Sequence, residues 1–135
     1  MLNSLMDPSL ILCAHVDAQT VKNRVDLSDV TESLQVSVVP IEKGAGTTPH
    51  SHRNENRNTT TTQEAWVVVL GSVVVDVFDI DDRKLDSLHL GPGAVFVTYR
   101  GGHAITASKE AVIVEIKNGP YSGKTSSYRK IHVPN

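Results

Sequence analysis

His50 and His52 stand two residues apart in the segment Thr47-Thr48-Pro49-His50-Ser51-His52. On an extended backbone, residues i and i+2 share a face, so the two imidazoles point the same way. Such a pair suits zinc, iron, nickel or copper. It equally suits a polar, exposed loop edge, which Thr47, Thr48 and Ser51 favour. His103 follows the pair Gly101-Gly102, and Glu64 heads an apolar run. His15, His89 and His132 stand apart and are read as surface or hydrogen-bonded histidines. The sequence has no Ser-His-Asp arrangement, phosphate loop, zinc-protease motif or heptad repeat.

Gly44, five residues, His50-Ser51-His52, then Glu64, six residues and Gly71 occur in that order, and Gly93 precedes His103. Over residues 35–117 this resembles the two motifs of the cupin family. Eleven residues separate His52 from Glu64, where the cupin pattern has three or four. Tyr99 stands where the second motif has its proline, and Ala107 where an asparagine often follows the last histidine. The resemblance implies one domain over residues 1–135, all-β, built as a cupin jelly-roll barrel (a double-stranded β-helix). It also implies one divalent transition metal (Fe, Mn, Ni or Zn) held by His50, His52 and His103 with Glu64, or by the three histidines alone. Polar groups inside an apolar barrel are costly unless satisfied, and a cation bound with open positions would satisfy them.

The same resemblance implies a small-molecule enzyme, isomerase- or epimerase-like or dioxygenase-like, with Glu64, Tyr99 and Arg100 as candidates for the chemistry. Lys117-Asn118-Gly119-Pro120-Tyr121 is similar to a segment of small stand-alone cupins, several of them in carbohydrate pathways. The alternative is a non-catalytic module that binds a small molecule or sugar. Arg53 and Arg57 would greet an anionic ligand from the segment between His52 and Glu64, or are solvated loop charges. Trp66 shares the face of Glu64 by period two, to wall a pocket or fill the core. Cys13 is read as a small buried hydrophobe.

These side chains need a frame. The chain has 135 residues, which suits one domain. Lys plus Arg count 13 against 15 Asp plus Glu, without the basic excess of a nucleic-acid binder. One cysteine excludes an internal disulfide and fits a reducing compartment. The longest apolar run covers residues 65–70, short of the ~18 a membrane helix needs, and the first 16 residues carry no Lys or Arg to begin a secretory leader. Cytoplasm is the expected location.

Abundant Val, Ile and Thr predict strands. The spacing predicts them over 10–16, 35–41, 64–70, 72–79, 85–90, 94–99, 103–107 and 111–117, with turns at 79–84, 91–93 and 100–102. Residues 17–34 give only a weak helical pattern. Residues 53–63 lack any apolar side chain and predict a solvated loop. The stretch after Lys117 is expected to wrap the surface or fray. Residues 65–70 are apolar on both faces, so their outward face needs cover from another sheet or a partner chain, and a homodimer is expected.

Overall fold

A computed structural model describes residues 1–120 and 129–131. Tyr121 and His132, both singled out above, lie outside the described residues. The strands are β1 (Leu2–Asn3), β2 (Ile11–Asp17), β3 (Val25–Asp26), β4 (Ser37–Val38), β5 (Glu64–Phe78), β6 (Lys84–Leu90), β7 (Ala94–Thr98) and β8 (Gly102–Lys117). Among the described residues there is no α-helix; the weak pattern after Asp17 yields one 3-10 turn, Ala18–Thr20. Among the described residues no helix is long and apolar enough to cross a membrane.

All strand pairings are antiparallel. The main sheet runs β1-β2-β7-β5-β6, with β8 along the other edge of β5, and β3-β4 form a separate small sheet. Among the described residues these pairings do not close into a barrel. The class is therefore all-β, as its composition predicts.

β5 organises the molecule. The spacing gives two apolar runs flanking Gly71, with a bend or close backbone approach at that glycine; the bend is there, and the runs form one strand through it, from Glu64 to Phe78. Gly71 sits at φ +72°, among three register shifts between Val68 and Val73. An irregularity of this kind bends a strand and moves its side chains to the other face. Before it the even-numbered Trp66 and Val68 face the core; after it the odd-numbered Val73, Val75 and Val77 do, with Cys13, Leu90 and Phe96. The two strands predicted at 103–107 and 111–117 merge for the same reason, as β8 follows β5 through the bend. The strand predicted over 35–41 shrinks to β4, since Pro40 has no N–H for a ladder and residues 39–62 are exposed throughout.

The opposite face of the sheet carries a second core. Ala14, Ala65, Val95, Val97 and Tyr99 pack with Leu27, and Leu34, Val36 and Val38 lie against them. The chain thus supplies part of the cover that 65–70 requires, from its own second sheet. Val69, Leu70, Val112, Val114 and Ile116 stay exposed.

Candidate functional site

His103 in β8 stands opposite Val77, thirteen residues along β5 from Glu64. In a straight strand those positions would lie roughly 43 Å apart. Instead His103 Nε2 is 3.4 Å from Glu64 Oε2. The β5–β8 ribbon therefore curls far enough to bring its two ends together on the concave side. Trp66 completes the meeting point: its ring meets His103 edge-on at 4.9 Å and stacks on Phe96 at 5.2 Å.

Glu64 is engaged at both oxygens, since Lys117 Nζ donates to Oε1 at 3.0 Å from the directly opposite position of β8. The adjoining His103 imidazole draws the Glu64 carboxyl down most, burial opposes it, and the Lys117 ammonium adds to the lowering; the result is about 2. Glu64 is thus an ionised carboxylate across the ordinary pH range. Its pairing contributes stability above the usual carboxylate range, lost as pH falls toward 2. Trp66 is 4% exposed, and its indole nitrogen is the one buried side-chain N or O atom without a hydrogen-bond partner among the described residues. Sequence spacing placed Trp66 on the Glu64 face, but nothing in it revealed that unpaired N–H.

Glu64 is fixed from behind by Gln63, which spacing did not single out. Gln63 is buried; its backbone N–H donates to Asn118 Oδ1 at 2.7 Å, and its side-chain oxygen accepts from the Leu34 N–H at 2.8 Å. Its amide also donates to Glu32, which in turn accepts from Arg100 at 2.6 Å. Arg100 further donates to the Ile11 carbonyl at 3.3 Å, and so braces β2 and the covering segment. Tyr99 is buried in the second core, its hydroxyl donating to the Leu27 carbonyl at 2.6 Å. Burial chiefly raises its hydroxyl pKa. Of the three candidates for chemistry, Glu64 lies at the concave meeting point, while Tyr99 and Arg100 tie the covering layer to the sheet.

His50 and His52 lie on the exposed segment 39–62, with ring centroids 5.3 Å apart and His50 Nδ1 2.9 Å from the Thr48 carbonyl oxygen. Arg53 and Arg57 are exposed on the same segment. The donor chemistry fits a divalent transition ion: an ionised carboxylate beside an imidazole, and two further imidazoles on the loop leading into Glu64. Glu64 and His103 adjoin, but no group of three or more His, Cys, Asp or Glu side chains comes together among the described residues. His15 and His89 are exposed and line a shallow depression of about 350 Å³ with Asp17 and Pro92. Cys13 is buried and burial pushes its thiol up to about 11, which leaves it inert as a nucleophile.

No family model, curated protein or solved structure matches this chain.

Proposed function

We propose that the protein binds one divalent transition metal in a cupin-like fold and, beside it, an oxygen-bearing small molecule. The observation that carries this reading is the contact between Glu64 and His103 across the curled ribbon. Two donors of the implied set meet although they lie far apart in sequence and along the ribbon. His50 and His52 would complete the set: His52 is twelve residues from Glu64, a tether of up to ~40 Å. Bound there, the ion supplies Lewis acidity toward a carbonyl or hydroxyl oxygen. The buried Trp66 N–H, which has no partner among the described residues, would donate to such a ligand's oxygen and orient it. Glu64 holds its negative charge without needing a raised pH.

Protein purified without chelator should carry close to one transition metal per chain by elemental analysis. Glu64→Gln and His103→Ala should each weaken binding at least about tenfold, and His50→Ala with His52→Ala should do the same. Full occupancy in the double histidine variant would remove the loop histidines from the set. Turnover of hydroxy-carbonyl substrates by the loaded protein separates the isomerase- or dioxygenase-like reading from a binding module.

The exposed row Val112, Val114 and Ile116 supports the proposal of a homodimer that covers it. A monomeric mass by light scattering at micromolar concentration would count against this.

A further inference from the structure

We propose that Lys117 is a tethered cation that occupies Glu64 until a divalent ion displaces it, with Glu115 receiving the displaced ammonium. The inference rests on the metal-binding reading above and concerns how that site is regulated. Lys117 is the direct cross-strand partner of Glu64, and Glu115 stands opposite Trp66. Residues two apart on a strand share a face, so Glu115 and Lys117 sit side by side. Lys117 Nζ lies 3.0 Å from Glu64 Oε1 and 3.3 Å from Glu115 Oε2, between the two carboxylates.

The two oxygens of Glu64 are held by different chemistry. His103 at Oε2 can itself become a metal ligand. The ammonium at Oε1 has donors only, and it repels any incoming cation. Glu115 is 48% exposed against 18% for Glu64, so its pair with Lys117 is the more screened of the two. The ammonium therefore rests on Glu64, yet already touches its alternative position and needs no backbone movement to transfer. A monovalent ion gains little by replacing a tethered charge equal to its own. A divalent ion gains about twice the attraction at the same carboxylate, so the device selects for divalent ions.

Trp66 is the single tryptophan of the chain and touches His103, so its fluorescence reports on this site alone. Ni²⁺ titrations read by Trp66 quenching, with calorimetry in parallel, should show Lys117→Met binding about three- to tenfold tighter than wild type. Glu115→Gln should bind about two- to fivefold more weakly, since the displaced ammonium loses the Glu115 carboxylate. In the Lys117→Met background Glu115→Gln should have almost no effect, because Glu115 acts through Lys117. Lys117→Arg keeps the charge and should stay close to wild type; circular dichroism confirms that each variant folds. Unchanged or weaker binding in Lys117→Met, or an equal Glu115→Gln effect in both backgrounds, overturns the inference and leaves the metal reading intact. Absence of Ni²⁺ binding in every variant overturns both.

Discussion

Gly71→Val should cost at least about 3 kcal/mol of stability and separate the two halves of the site. A Cβ on Gly71 would lie 1.9 Å from the Glu110 carbonyl oxygen and 2.8 Å from Ala111 Cα, both backbone atoms of the paired strand. Backbone cannot rotate aside as a side chain can, so β5 and β8 would have to part at the bend. The residue also sits at φ +72°, where β-branched side chains are strained. The bend contributes to turning the ribbon back on itself. Easing it would draw His103 away from Glu64 and Trp66, on opposite arms of the curl. Denaturant unfolding measures the first effect, and a shifted Trp66 emission with weakened metal binding the second. A Gly71→Val protein of wild-type stability would mean that the bend tolerates a side chain and is not fixed by this glycine.

Asp79→Ala should lower stability by about 2–4 kcal/mol, measured by the same denaturant unfolding. Asp79 is fully buried at the end of β5. Its Oδ2 accepts from the Leu5 N–H at 2.7 Å and the Met6 N–H at 3.4 Å, and its Oδ1 from the Ile80 N–H at 2.7 Å. One carboxylate thus pins the N-terminal segment to the hairpin between β5 and β6. Removing it takes the acceptor from the Leu5 and Ile80 N–H groups in a part-buried setting, while the Met6 N–H keeps the Ser4 hydroxyl at 3.0 Å. Burial pushes the Asp79 carboxyl up, but the Ser4 hydroxyl and the N–H groups of Ile80, Leu5 and Met6 outweigh it, so it titrates below its usual value. A depressed carboxylate stabilises the fold fully above its unfolded value and loses that contribution as pH falls through the folded one. Wild type should therefore weaken below about pH 4, and Asp79→Ala should show a shallower acid slope.

Much of the sheet was legible in the sequence because side-chain direction alternates with a fixed period. Val73, Val75 and Val77 share the core face as their spacing predicts, and Trp66 shares the face of Glu64. The turn at residues 79–84 joins β5 to β6, and Gly91-Pro92-Gly93 separates β6 from β7. Gly71 marks a bend or close backbone approach in the sequence, but period two cannot tell two strands flanking such a bend from one strand that runs through it. Residues 64–70 and 72–79 therefore read as two strands in the sequence and are joined in the fold. Likewise, the cupin resemblance implied His50, His52, His103 and Glu64 as ligands without showing which of them meet.

Composition by itself determined the all-β class, since β-branched side chains suit a pleated surface and the chain offers little helical periodicity. Alternation determined which residues of each strand share a face. Only the tertiary structure decided that Glu64 and His103 meet, that Lys117 lies between Glu64 and Glu115, and that Tyr99 and Arg100 brace the covering layer. The physical reason is range. Side-chain alternation is set by neighbouring residues, whereas these contacts depend on how far a fifteen-residue strand curls, and that curl is summed over its bulges, its partner strands and its packed core.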